Sequence, residues 1–159
     1  MIFDRLSRIC TRGARTAYGA GSLLYRDPAS AVLLLRMAGW VATLSLLVRV
    51  MPLPRILKLM QPRSRPASAD AAETQARVAQ LLDLLLATDL LCFTPTCWKR
   101  APVLHRFLAL RGIDSRIVFG VRKDGEGLLA GHAWLESEGG QPLLETSFPE
   151  YTRTYSFPA

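Results

Sequence analysis

The segment FTPTCWKR, residues 93–100, decides how the rest of the chain is interpreted. Thr94 and Thr96 are residue types that cap helices, and Pro95 keeps a preceding helix from running through the segment. After this point apolar residues recur at the spacing of an α-helix. The pattern predicts a loop that presents Cys97 in the first turn of a helix, on one stripe with Ala101, Leu104 and Leu108.

A thiol in the first turn of a helix has a chemical consequence. Unpaired backbone N–H groups and the positive end of the helix dipole both stabilise the thiolate, which is the nucleophilic form of cysteine. A cysteine among apolar residues is also a common small core residue, so Cys97 alone does not predict an enzyme. Cys92 is an alternative nucleophile, although it lacks the helix start.

The length of 159 residues allows one domain with a hydrophobic core and an appendage. Its three cysteines (Cys10, Cys92 and Cys97) cannot all pair, and their spacing matches no zinc pattern. We therefore expect a reducing, cytoplasmic location with a free thiol, and neither a metal nor a cofactor.

Charge divides the chain in two. Residues 1–66 carry eleven Lys or Arg against two Asp, whereas residues 67–159 carry nine basic against eleven acidic residues. The composition of residues 61–70 is typical of a linker. We predict a basic helical N-terminal segment, 1–66, and a second domain, 67–159. The basic segment suits an anionic membrane or an acidic protein, and it lacks any motif for nucleic acid.

The apolar residues 31–51 raise the question of a membrane span. Arg36 and Arg49 interrupt them, and the longest uncharged run has twelve residues, whereas a span needs about twenty. We predict helices that pack on the domain or lie at a membrane surface, and so a peripheral contact through residues 1–60. A single tilted span with Arg36 snorkelling is the alternative.

The second half of the chain predicts helices followed by strands. A helix follows Asp70, which with Glu73 resembles a capping box, and the Cys97 helix should end at Gly112. Residues 113–121, 128–137, 142–146 and 151–155 have the alternation of strands. The order predicts an α+β fold, in which the cysteine-bearing helix packs on an antiparallel meander.

His132 and Glu145 flank the predicted turn between two of these strands. A two-residue loop places both side chains on one face, within about 4.5–8 Å of each other, whereas a three-residue loop places them on opposite faces. A carboxylate at that distance can orient the imidazole. If the Cys97 helix packs on the same face, the three residues form a Cys-His-Glu arrangement.

Other residues near these motifs are weaker candidates. His105 lies about two helical turns from Cys97, too far to act on the thiol. Glu136 shares the face of His132 but lies roughly 7 Å along the strand. Trp134 is equally suited to the core and to a wall of the site.

Together the motifs resemble a known family. They read CWKRA at 97–101, LRGI at 110–113, IVFGVR at 117–122 and GHAWLE at 131–136, with Glu145 following. In this order and spacing they resemble the transglutaminase-like cysteine protease of lasso-peptide biosynthesis, the microcin-maturation protease family. The resemblance covers about residues 70–159, and Trp98 and Gly131 depart mildly from the family pattern.

The resemblance implies a transglutaminase-like or papain-like core and a leader peptidase with the triad Cys97, His132 and Glu145. Such an enzyme removes the leader from a ribosomally made precursor peptide, together with a leader-recognition protein and a macrolactam cyclase. Three alternatives stay open: an amidase or acyltransferase with another acceptor, a non-catalytic scaffold of a processing complex, and a membrane-associated adaptor.

Overall fold

The computed structural model describes residues 27–62, 70–89, 93, 96–123, 127–144 and 151–158. In this part of the chain helices precede strands, which confirms the predicted α+β class. The helices are α1 (Pro28–Leu47), α2 (Leu53–Met60), α3 (Ala71–Leu86) and α4 (Cys97–Ala109), and the strands are β1 (Arg116–Lys123), β2 (Leu129–Glu136), β3 (Pro142–Leu143) and β4 (Thr152–Phe157).

The strands form one antiparallel sheet in the order β3-β2-β1-β4. β1 and β2 pair along their full length, from Arg116 opposite Glu136 to Lys123 opposite Leu129. β4 pairs with the other side of β1 and has an irregular register after Phe119. The prediction of a simple meander is therefore wrong for β4, because alternation along a strand indicates its faces but not its neighbours.

One face of the sheet packs on α4. Ile117, Ala133 and Leu135 of the sheet and Leu104 and Leu108 of α4 belong to one buried cluster. The three other helices extend the same cluster with the side chains Leu33, Met37, Val41, Leu44, Ile56, Leu57, Met60, Val78, Leu81, Leu82 and Leu86.

The predicted domain boundary between residues 66 and 67 lies outside the described residues, and the division stays a prediction. The hydrophobic core does not stop there, however. α1 and α2 precede the boundary, and their buried side chains contact those of α3 and α4. Burial of apolar area is the main stabilising contribution to a fold, so these two helices belong to the core that positions α4.

α1 has two apolar sides. Its inner side chains, among them Met37, Val41 and Leu44, are fully buried in the core, while Leu35 and Leu46 are exposed. By length and composition it is the one helix among the described residues that could cross a membrane. Asp27 caps its start by accepting a hydrogen bond from the backbone of Ala29.

The two ends of α4 differ in how well the sequence predicted them. Gly112 has a φ of 71°, and the N–H of Ile113 bonds to the carbonyl of Leu108, which confirms the predicted glycine C-terminus. At the start, the side chain of Thr96 makes no capping hydrogen bond, and its buried hydroxyl has no partner among the described residues. The expected cap of Asp70 on α3 is also wrong, because its side chain makes no such bond.

Two arginines fix α4 to the other helices. Arg100 forms a bidentate ion pair with Asp83 of α3, at 2.6 and 3.0 Å. The guanidinium of Arg106 lies 3.7 Å from the ring centre of Trp40 on α1 and donates to the carbonyl of Met60 at the end of α2. One guanidinium of α4 therefore contacts two other helices, by a cation–π contact and a charged hydrogen bond.

His105 is buried on the inner side of α4. Its Nδ1 lies 3.0 Å from the hydroxyl of Ser115, and its ring meets the ring of Phe157 edge-on, with 6.2 Å between the centres. Burial lowers the pKa of His105, against the opposing effects of a hydrogen bond with the backbone of Ser115 and of the charge of Asp114. His105 is therefore held by contacts within the core.

Acid should destabilise the fold through His105. Because burial holds its pKa below the ordinary 6.5, the unfolded chain binds the proton first as the pH falls. The stability that neutral His105 contributes is therefore complete above pH 6.5, and it is lost below that pH by up to about 1.4 kcal/mol per pH unit. Urea unfolding at about pH 7.5 and about pH 5.5 should show a smaller loss in His105→Gln than in the wild type. Equal losses in the two proteins would contradict this assignment.

Candidate active site

Cys97 is the first residue of α4, as the sequence predicted. Its free thiol is half-buried and packs against the edge of the hydrophobic core. The N–H groups of Lys99 and Arg100 both bond to the carbonyl of Thr96. The N–H groups of Cys97 and Trp98 precede these first intrahelical bonds, so they lie at the positive end of the helix.

Pro102 lies inside α4, a feature that the sequence analysis did not use. Proline has no N–H, so the carbonyl of Trp98 lacks its usual intrahelical donor. Trp98 itself packs partly against the core.

Several predicted site residues lie outside the part of the chain that the structure describes. Glu145 and the alternative nucleophile Cys92 lie outside the described residues, as do Thr94 and Pro95 of the cysteine loop. The role of Glu145 as the acid that orients His132 therefore stays a prediction.

His132 lies on β2, opposite Gly120 of β1, within a group of three aromatic rings. Trp134 stacks on its imidazole at 5.9 Å between ring centres and 16° between planes. The ring of Tyr151 lies 5.3 Å from the imidazole and 6.1 Å from Trp134. This aromatic cluster (His132, Trp134 and Tyr151) holds the imidazole on two sides. Trp134 therefore forms a wall of the His132 environment.

Glu136 helps to fix the aromatic cluster through Trp134. Only 3% of Glu136 is exposed, and its Oε1 accepts a hydrogen bond of 2.9 Å from the indole N–H of Trp134. The guanidinium of Arg153 on β4 lies 2.9 Å from the same oxygen. A buried carboxylate needs such partners, and here they orient the ring that stacks on His132. The sequence analysis correctly placed Glu136 on the face of His132 but missed its link to Trp134.

Gly120 makes room for the cluster. A Cβ at this position would lie 2.8 Å from Trp134 and 2.9 Å from the Cβ of Tyr151, closer than side chains approach. The alternation of β1 gave no sign of this requirement, because Tyr151 reaches it only through the non-sequential strand order. Tyr151, Arg153 and Gly120 are thus site residues that sequence reasoning missed.

α4 packs on the sheet, as predicted, and its core contacts are with the face of β2 that contains Ala133 and Leu135. Side chains alternate along β2, and Ala133 and Leu135 are the ones that pack in the core with α4. His132 and Trp134 project from the other face. In the described chain β3 pairs only with Leu135 and Glu136, so it places no strand beside His132 on that side.

Of the two loop lengths considered between β2 and β3, the structure has the three-residue one. Glu136 pairs with Pro142 and Leu135 with Leu143, so three residues, 138–140, form the loop. Gly140 has a φ of 75°, which is typical of a turn that ends in a left-handed residue. A regular ladder in this register would turn residue 145 to the face opposite His132. The ladder ends at Leu143, however, and Leu144 has a φ of 64°.

Basic side chains lie near Cys97 and near the aromatic cluster of His132. The Nζ of Lys99 lies 5.3 Å from the ring centre of Trp98, beside Cys97, and 6% of Lys99 is exposed. The guanidinium of Arg122 lies 5.4 Å from the ring centre of Tyr151. No group of three metal-ligating side chains occurs among the residues that the structure describes. The two cations suit an anionic group of a substrate.

The family comparison agrees with this architecture. The model of the transglutaminase-like superfamily matches residues 38–156, from the middle of α1 to the end of β4. The chain belongs to the transglutaminase-like superfamily. Neither a curated protein nor a solved structure matches the chain. Membership indicates a fold used for thiol-protease and acyl-transfer chemistry, and the match includes both Cys97 and His132.

Gly120→Ala should disturb the aromatic cluster, because the new methyl group overlaps Trp134 and Tyr151. Overpacking of this kind costs typically 1–3 kcal/mol. We expect the free energy of unfolding in urea to fall by about 2 kcal/mol. Gly131→Ala on β2 is the matched control, since nothing lies within 4 Å of a Cβ there. Similar effects of the two substitutions would contradict the close packing around Gly120.

Proposed function

We propose that the protein is a cysteine peptidase that removes the leader from a ribosomally made precursor peptide in lasso-peptide maturation. One observation carries the proposal: within a transglutaminase-like domain, Cys97 opens the helix that packs on the strand of the GHAWLE motif. That strand contains His132. The motif order of the lasso-peptide family supports the choice of substrate.

The proposed reaction is acyl transfer through a thioester. The Cys97 thiolate adds to the scissile carbonyl while His132 holds the thiol proton. His132 then gives that proton to the leaving amine as the C–N bond breaks. Water, deprotonated by His132, attacks the thioester and releases the leader with its new carboxylate and the free thiol. The N–H of Cys97 at the helix start is one donor for the oxyanion.

Glu145 is proposed to orient His132. The three-residue loop argues against the simple cross-strand pairing first expected, and the left-handed Leu144 is the feature that interrupts this register. Glu136 is engaged with Trp134 and Arg153, which makes it a positioning residue for the ring that stacks on His132 rather than a direct partner of the imidazole.

The proposed partners are a leader-recognition protein and a macrolactam cyclase. The basic residues of segment 1–66 offer them a docking surface. Deleting residues 1–60 would not test this idea, because it would remove Met37, Val41 and Ile56 from the core. Substitution of exposed basic residues, such as Arg55 and Lys58, leaves the core intact and is the better experiment.

An acyltransferase is the second candidate, and the superfamily match favours it as much as hydrolysis. The same thioester can be released by an amine instead of water. Mass spectrometry of the product distinguishes the two, since hydrolysis adds water and transfer adds the mass of the acceptor. A non-catalytic scaffold instead requires an unreactive Cys97.

Cys97 should be the fastest-reacting thiol of the chain. We expect iodoacetamide to alkylate Cys97 near neutral pH before Cys10 and Cys92, because the helix start stabilises its thiolate. His132→Ala should slow alkylation of Cys97 without changing that of the other two, which serve as internal controls. Mass spectrometry of each cysteine peptide over a pH series is the measurement. Slow alkylation of Cys97, or an alkylation rate that His132→Ala leaves unchanged, would favour the non-catalytic scaffold.

Leader cleavage should depend on the proposed triad in a graded way. Cys97→Ala and His132→Ala should each lower kcat/KM for a leader-bearing precursor by about 10³-fold or more, and Glu145→Gln by less. The assay contains the leader-recognition protein, and chromatography follows the released leader. Glu138→Gln, in the hairpin loop, is the control for loss of a nearby carboxylate. Full activity of Cys97→Ala would contradict the mechanism.

A further inference from the structure

The outer face of α1 is apolar, and none of the described residues covers it. Three of its large side chains are mostly exposed: Val32 at 52%, Leu35 at 73% and Leu46 at 64%. Gly39 and Ala42 lie between them and are also exposed. We call these five residues the outer stripe. Isolated exposed apolar side chains are ordinary, but a continuous row along one helix marks a contact surface.

The outer stripe is the opposite side of the helix from the core. At 100° per residue its members fall within an arc of about 80°. Leu33, Met37, Val41 and Leu44, which enter the core, lie across the helix from this arc. The stripe is therefore turned away from the protein. Arg36, which is exposed, lies at one border of the stripe, and the exposed Arg49 follows the end of α1. This is the arrangement of an interfacial helix, whose basic residues reach the headgroups while its apolar side enters the acyl region.

The charge around the outer stripe indicates which partner fits. Residues 28–69 contain six Lys or Arg and no Asp or Glu. A symmetric dimer through this face would place the basic residues of one copy near the same residues of the other. That repulsion disfavours a second copy of the chain. An anionic lipid surface satisfies both the apolar stripe and the basic border.

We propose that the outer stripe of α1 docks the protein on an anionic membrane surface, with α1 lying in the plane of the interface. α1 cannot cross the bilayer while its inner side chains remain in the core, so the contact is peripheral. The domain itself covers the side of α1 that faces away from the lipid. The inference does not rest on the proposed reaction, because no residue of the stripe belongs to the candidate active site.

Co-sedimentation of the full chain with vesicles tests this proposal. We expect binding to vesicles of phosphatidylcholine with about a third phosphatidylglycerol, weaker binding to phosphatidylcholine alone, and a decrease with salt. Leu35→Gln/Leu46→Gln should lower the partition coefficient by about tenfold or more. Arg36→Gln/Arg49→Gln should lower binding to the anionic vesicles and leave binding to phosphatidylcholine nearly unchanged.

The matched control is Leu128→Gln/Leu129→Gln, which removes two leucines that are 67% and 70% exposed but lie at the start of β2, away from α1 in the sequence. It should bind vesicles like the wild type. Equal loss in the control and in the Leu35/Leu46 variant would overturn the proposal, as would wild-type protein that stays in the supernatant. A wild-type dimer that Leu35→Gln/Leu46→Gln dissociates, seen by sedimentation equilibrium, would instead assign the stripe to a second copy.

Discussion

The packing of α4 against every other layer is the constraint on which the structure depends. Its inner side chains meet the sheet, while Arg100 and Arg106 tie it to the three other helices. The Arg106 contact is central because a single charged group joins α1, α2 and α4, and burial lowers its pKa without removing its charge. A planar guanidinium can stack and donate hydrogen bonds at once, which a lysine cannot do. The position of Cys97 follows from these contacts, since the thiol is the first residue of the helix that they hold.

The imidazole is held by different means. Trp134 and Tyr151 contact its ring, and the buried Glu136 orients Trp134. Thus the nucleophile candidate is positioned by helix packing on one face of the sheet, and the base candidate by an aromatic cluster on the other. Such a division lets each residue be fixed independently.

The sequence was informative where local chemistry decides structure. Gly112 ended α4 as a left-handed glycine should, and the stripe from Cys97 to Leu108 defined the inner side of the helix. The sequence was uninformative where residues distant along the chain determine the local structure. The extra loop residue depends on Gly140 adopting a left-handed conformation, and a turn with two successive glycines allows either length. Nothing local to Gly120 reveals Tyr151, and nothing local to Arg106 reveals Trp40, because strand order and helix packing bring these pairs together.

A helix that is apolar on both sides also matters while the chain is being made. α1 leaves the ribosome before α3, α4 and the sheet exist, so its inner leucines and methionine lack their partners during that interval. The nascent chain then exposes two apolar surfaces of α1 rather than one. A lipid surface or a chaperone that shields α1 co-translationally would keep this species from aggregating. Recombinant yield should accordingly depend on how synthesis of α1 is timed relative to the elements that cover it.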